Sequence, residues 1–340
     1  MKETICGLCG KEAEMVEQFF QGYMEGDFFE IFFCKNCNTS FAINNNGGLN
    51  GVYDLIYQYA EKILGYDRYY RYYDTIKNEK DPMNFLASAE ESYWIVKDAL
   101  AKIEKTKRET SIIEIGSGLG YLTYALNKEG YNALGVDISQ DAVDKAIKKF
   151  GPHYECENIV NYAKEHPEQY DVVVLTEVIE HIEKPVEFLK SLCLLVKREG
   201  CIILSTPNKT IYSQKVVWAT DLPPVHLWWF SETSMRFIGN ILNVNTVFTD
   251  FFDYYKYREK NVILFDWDKN NIRPVFNSNG ELIVKSNDAE TQIKQHTNVV
   301  KEILKKIPFF TYIVRKIKYG KKYYMCGKSG PILGIIFIKK

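Results

Sequence analysis

The chain has 340 residues and a formal net charge of −1, from 43 Lys or Arg and 44 Asp or Glu. That length allows two domains, and the charge balance excludes a chain drawn as a whole to nucleic acid. No stretch of roughly 18 apolar residues occurs, so no membrane-spanning helix is expected. Met1-Lys2-Glu3-Thr4 opens without the apolar run of a secretory leader, and a cytoplasmic protein is expected.

Residues 1–44 read as a small metal module. Cys6-Gly7-Leu8-Cys9 and Cys34-Lys35-Asn36-Cys37 are two C-x-x-C pairs with 24 residues between them, and Phe28 begins a strand that leads into the second pair. Four thiolates suit tetrahedral zinc, and a segment this short lacks a core without it. Cys6, Cys9, Cys34 and Cys37 fill all four positions, so the predicted zinc is structural rather than catalytic. Redox chemistry is the alternative, but it needs only one pair. The other four of the eight cysteines, Cys156, Cys193, Cys201 and Cys326, are scattered.

A polar linker follows, and then a predicted helix over residues 53–73 that holds eight tyrosines. Their expected role is core and interdomain packing, with stacking on a substrate as the alternative. Residues 45–110 are taken together as linker and Tyr-rich helical region, ending in an amphipathic helix over 88–103.

Residues 111–255 alternate strand and helix, the pattern of a parallel sheet. Ile112-Ile113-Glu114-Ile115-Gly116-Ser117-Gly118-Leu119-Gly120 is a β-branched strand running into a glycine-rich turn, with a helix predicted from 119 to 128. Glycines let the backbone turn sharply and lie against a ligand, and a helix start presents free N–H groups. The next strand ends at Asp137, where a carboxylate can accept two ribose hydrogen bonds. The spacing differs from the G-x-G-x-x-G of a dinucleotide site. Glu114 beside the turn disfavours a pyrophosphate but suits the cationic amino and sulfonium groups of S-adenosylmethionine (SAM).

Residues 170–175 predict a further strand, which exits into Thr176-Glu177-Val178-Ile179-Glu180-His181-Ile182. Residues 201–208 predict another, ending in Ser205-Thr206-Pro207-Asn208. A helix is predicted over 231–241 and strands over 245–254 and 331–339. About 75 residues separate these last two strands, too many for a loop in a compact domain. Residues 256–330 are therefore expected to form a cap. Within it, 294–322 carries nine Lys or Arg against one acid, Glu302, with apolar residues interleaved and Pro308 breaking the run. Its expected roles are a lid over the acceptor, steering of an anionic substrate, or peripheral contact with an anionic membrane at the inner face.

At the strand exits two histidines stand out. His226 lies in Pro223-Pro224-Val225-His226-Leu227-Trp228-Trp229-Phe230, beside a flat apolar surface fit for a ring. It is the first candidate for general base, with His181 second.

These segments together resemble the class I SAM-dependent methyltransferases. Residues 176–182 are similar to the E-V-I/L-E-H segment of the ubiquinone-biosynthesis O-methyltransferase branch, 205–208 to its S-T-P-N exit, and 223–231 to a P-x-H-L-x-x-F-S segment over the acceptor. The resemblance implies an α/β, doubly wound, Rossmann-like seven-stranded sheet, here preceded by a zinc-ribbon-like module and interrupted by a helical insertion before a last strand at 331–340. It implies SAM contacts from Glu114, Gly116, Gly118, Gly120, Asp137, Ile138, Glu157, Asn158, Thr176 and Glu177. An N-terminal four-cysteine module on such a domain resembles bacterial enzymes that methylate nucleotide-linked sugars or surface glycans. The function expected is O-methylation of a small-molecule or saccharide acceptor, with sugar C-methylation second. An RNA base methyltransferase is disfavoured by the charge balance and by only three lysines, Lys2, Lys11 and Lys35, in the cysteine module. The intact glycine loop and Asp137 argue against a non-catalytic scaffold.

Overall fold

The computed structural model describes residues 2–43, 51–63, 65–210, 216–218, 222–255, 264–266, 274–283 and 330–340. The N-terminal strands β1 (Glu3–Ile5), β2 (Glu12–Gln21), β3 (Phe28–Cys34) and β4 (Thr39–Ile43) form an antiparallel meander. The apolar run of β3 is buried along most of its length, among Phe32, Phe41 and the cysteines.

The helical region that follows is four helices rather than the two expected: α1 (Val52–Tyr59), α2 (Asp67–Thr75), α3 (Pro82–Ala89) and α4 (Glu91–Leu100). The predicted Tyr-rich helix is broken between α1 and α2, where Gly65 takes φ 97°, a conformation that suits glycine alone. The second predicted helix is divided near Glu90, whose extended backbone ends α3 and starts α4. Asp81 caps α3 by accepting from Asn84 N at 2.8 Å, with Pro82 in the first turn.

The central sheet is built from β5 (Ser111–Ile115), β6 (Asn132–Asp137), β7 (Tyr154–Cys156), β8 (Tyr170–Thr176) and β9 (Val196–Pro207). Between them run α5 (Tyr121–Lys128), α6 (Gln140–Phe150), α7 (Ile159–Glu165) and α8 (Pro185–Leu195). Residues 216–218 form β10, and Trp228–Trp229 form the short β11. They are followed by α9 (Glu232–Ile241), β12 (Val244–Phe248), α10 (Phe252–Tyr255), β13 (Leu264–Asp266) and β14 (Ile332–Lys339). The seven strands lie in the order β12-β14-β9-β8-β5-β6-β7, and β14 alone runs against the rest. The sheet is thus the expected doubly wound one. The predicted strand over 245–254 is shorter than expected and gives way to α10. The chain leaves β5 in one direction and returns to its other side as β8, so a crevice opens at the carboxyl ends of β5 and β8.

The N-terminal sheet is not self-contained. Trp228–Trp229 pairs antiparallel with β4 and makes its fifth strand. Part of the expected cap also joins this module: Val275 and Phe276 are buried with Tyr23, Phe29 and Trp229, and Phe276 N donates to Tyr23 O at 3.0 Å. The basic stretch 294–322 lies outside the described residues. Among the described residues no helix is long and apolar enough to cross a membrane.

Candidate functional site

A cleft of 1110 Å³ lies over the carboxyl ends of β5, β6 and β8. Its first half is made by the glycine turn. Gly116 takes φ 71°, and a Cβ there would stand 2.7 Å from the Val178 side chain. Gly118 takes φ 49°, and a Cβ there would meet nothing within 4 Å, because it would project into the open cleft. Asp137 holds this turn: its carboxylate accepts from Gly118 N at 2.7 Å and from Ser139 N at 2.8 Å. Ile138 beside it is exposed although large and apolar.

The predicted SAM residues reach this space unequally. Glu114, Gly116, Gly118, Asp137, Ile138, Glu157, Asn158, Thr176 and Glu177 all line the cleft. Gly120 does not line it; it starts α5 at φ 80°, where a Cβ would collide with Tyr154 and Ala146. Asn158 spends its side-chain oxygen on capping α7, accepting from Val160 N at 3.1 Å. Glu177 takes φ 53° and turns its carboxyl inward, to Ser205 Oγ at 2.7 Å and Ser92 Oγ at 3.0 Å. Burial raises its pKa against those two donors.

Glu114 lines the cleft from a buried position. Its carboxyl is buried and accepts from the Thr123 hydroxyl. Burial pushes its pKa up to about 8, against the Thr123 hydrogen bonds. Near neutral pH it is mostly protonated, and only a cation arriving nearby would favour its charge.

The second half of the cleft is lined by Tyr53, Tyr66, Tyr69, Tyr70, His181 and His226, among others. Among the tyrosines, and lining the same cleft, is a polar cluster that sequence reasoning missed. Arg68 Nε meets Glu90 at 2.7 Å, its Nη2 donates to Tyr69 Oη at 2.8 Å, and Tyr72 Oη donates to Glu90 at 2.7 Å. Arginine inside a run of tyrosines was the available signal. It requires a buried partner, and Glu90 at the α3–α4 junction supplies one.

The two histidines meet edge to face, with centroids 4.7 Å apart. His181 has Nδ1 2.7 Å from Val225 O and Nε2 3.0 Å from Glu177 O. Both ring nitrogens face backbone carbonyls, and the neutral ring donates to one of them, tying two segments together. Burial lowers its pKa against those carbonyls. His226 is buried, and desolvation followed by the nearby His181 holds its pKa well below the usual histidine value. It is neutral at pH 7, the form able to take a proton.

The four cysteines of the module come together as predicted. Cys6 Sγ lies 3.7 Å from Cys37 Sγ and Cys9 Sγ lies 3.4 Å from Cys34 Sγ. All four sulfurs lie within 4.8 Å of one another, and none is in a disulfide. Zn–S bonds of about 2.3 Å in a tetrahedron place sulfurs roughly 3.8 Å apart, so the set fits zinc. The Cys37 hydrogen bond lowers the Cys6 pKa, while the same bond and burial raise that of Cys37. A dication at the centre would favour the thiolate form of all four.

Comparison with known proteins agrees with this geometry. Residues 89–239 match a family described as a methyltransferase domain. The ubiquinone biosynthesis O-methyltransferase of Rickettsia bellii is 36% identical over 110 residues, covering 30% of this chain and 44% of that protein. The enzyme of the same name from Yersinia pestis is 29% identical over 113 residues, covering 31% and 46%. The chain thus spans less than half the length of these curated relatives. A SAM-dependent methyltransferase from Archaeoglobus fulgidus aligns with a TM-score of 0.43 at 18% identity, over 72% of this chain and 94% of that one. The match over residues 89–239 makes this core similar to a methyltransferase domain, and its strand order and glycine turn with the Asp137 latch agree with that likeness.

Proposed function

We propose that the chain transfers the methyl group of SAM to a hydroxyl of a small-molecule or saccharide acceptor, in first place a nucleotide-linked sugar or surface-glycan precursor. The observation that carries this reading is the continuity of the cleft: one space runs from Gly118 and Asp137 to Tyr66, Tyr69 and His226. Methyl transfer from a sulfonium is an in-line displacement, so the protein must align the nucleophile and take up its proton.

In this reading Asp137 receives the ribose hydroxyls, and the exposed Ile138 gives adenine an apolar face. Glu157 and the Asn158 amide stand near the adenine edge. The backbone at Gly116 and Gly118, with Thr176, meets the methionine end. His226 is neutral and accepts the acceptor's proton, while the tyrosines supply flat surfaces and hydroxyls suited to a sugar or other ring. The four cysteines hold one structural zinc.

Incubation with labelled SAM and a panel of nucleotide-linked sugars tests the proposal. Label transfer and a product heavier by one CH2 are expected on a hydroxyl-bearing member. Transfer to a ring carbon would instead support C-methylation, and transfer only to RNA at low salt would overturn the acceptor class.

A further inference from the structure

The acceptor end of the cleft is held from outside the methyltransferase domain. The segment carrying His226 is fastened to the cysteine module at three places. Tyr23 N donates to Pro223 O at 3.0 Å, Ala42 N donates to Leu227 O at 2.9 Å, and Thr39 Oγ1 donates to Trp229 O at 3.1 Å. Between them the Trp228 ring lies 5.2 Å from that of Phe41, centroid to centroid. It also covers the first knuckle so closely that a Cβ on Gly7 would stand 3.3 Å from it. Trp228 and Phe41 are buried in one cluster with Cys6, Leu8, Cys34 and Cys37.

The same segment reaches the catalytic side through different atoms. Leu227 N donates to Glu180 O at 2.9 Å, Val225 O meets His181 Nδ1 at 2.7 Å, and the His181 ring abuts His226. The SAM half of the cleft has no such dependence. Gly116, Gly118 and Asp137 are held by β5, β6 and each other.

We propose that the four-cysteine knuckle, through Trp228, is a positioning element for the acceptor wall. With the knuckle loaded, Trp228 fixes the strand at 228–229 and so sets His226 and His181. With the thiolate set opened, the wall moves while the SAM edge stays formed. A merely stabilising role for the module predicts no such separation. The catalytic meaning of this rests on the role proposed above for His226. The measurements below do not, because they report where the wall lies whether or not His226 takes a proton.

The experiment uses the full chain, with zinc present or removed by chelation under reducing conditions, and S-adenosylhomocysteine as probe. Hydrogen exchange is read at Ala42, which bonds across to the segment, and at Leu227, which bonds to Glu180 in the core. Long-range 1H–15N spectra report the two imidazoles. On zinc removal both amides are expected to lose protection by about tenfold or more. Both imidazole signals are expected to move, with probe affinity within about threefold of the loaded protein. Trp228→Ala in zinc-loaded protein is expected to move the same imidazole signals at unchanged metal content, and Trp228→Phe to restore them largely. A chain purified anaerobically without metal overturns the proposal. So does Leu227 keeping its protection while Ala42 loses it, or Trp228→Ala leaving both imidazoles as in the parent.

Discussion

The two halves of the cleft are built on opposite plans. The half proposed for SAM comes mostly from consecutive chain, namely β5, the turn after it, the start of α5 and the end of β6, with Glu157, Asn158, Thr176 and Glu177 added from beyond β7 and the end of β8. The half proposed for the acceptor is gathered from remote places: the tyrosines in and beside α1 and α2, the exit of β8, and Val225-His226, whose segment continues into the strand at 228–229 paired with the cysteine module. The first half is specified largely by local backbone chemistry, in left-handed glycines and a carboxylate latch, with Val178 closing over Gly116. The second depends on tertiary packing, so its chemistry is exposed to changes far from the cleft. Substitutions should therefore divide cleanly, with those in the first half changing SAM binding and those in the second changing turnover.

The largest expected effect lies in the acceptor half. His226→Gln is expected to lower turnover on the true acceptor by roughly 10²–10⁴-fold while SAM binds as before. Initial rates at saturating SAM, together with calorimetry, give both quantities. Full turnover in the variant removes His226 from proton transfer and leaves it a packing role.

In the SAM half, Gly118→Val is expected to weaken SAM binding by at least about a hundredfold, roughly 3 kcal/mol. The backbone at φ 49° disfavours a β-branched residue, and the side chain enters the empty cleft. Asp137→Ala is expected to cost about 2–3 kcal/mol. Part of that cost is loss of the latch on Gly118 N and Ser139 N rather than of ribose contacts. Asp137→Asn separates the contributions, since an amide oxygen can keep one backbone donor while losing charge. Unchanged SAM affinity by calorimetry in Asp137→Ala would place the ligand elsewhere in the cleft.

What the sequence revealed follows the same division. The glycine turn, Asp137 and the alternation of strand and helix are short-range patterns, and the strand order they imply is the one found. The four cysteines were legible for the same reason: each pair is local, and only one geometry uses both. Two features were not. Trp228 and Trp229 read as a flat surface for a ring, yet they are buried and pair with β4, almost two hundred residues earlier, and a two-residue strand leaves no periodicity to detect. Arg68 was submerged in its tyrosine run because its partner Glu90 sits at the remote junction of α3 and α4. His181 matched a local motif, but only the fold brings the Val225 carbonyl to its second nitrogen.

The smallest expected effect concerns Glu114, where the SAM half itself is sensitive to protons. Its folded pKa is about 8 against 4.5 for the free side chain, because burial disfavours the charged form. A raised folded pKa means that the folded chain holds a proton the unfolded chain has released. The associated stability is therefore full below about pH 4.5 and is lost as pH rises toward about 8. Glu114→Gln carries no such proton. It is expected to flatten the decline of Tm between those limits, by an amount on the order of 1–3 kcal/mol in unfolding free energy. Ligand binding gives the same group a second signature. A cation bound beside Glu114 favours the carboxylate, so SAM binding near pH 7 is expected to release up to about one proton. S-adenosylhomocysteine lacks the sulfonium charge and is expected to release less. Calorimetry in two buffers of different ionisation enthalpy counts the protons, and Glu114→Gln is expected to remove the difference between the ligands. Equal proton release for both ligands in the parent protein would mean that the sulfonium is not felt at Glu114, leaving the carboxyl as a buried anchor for Thr123 on α5.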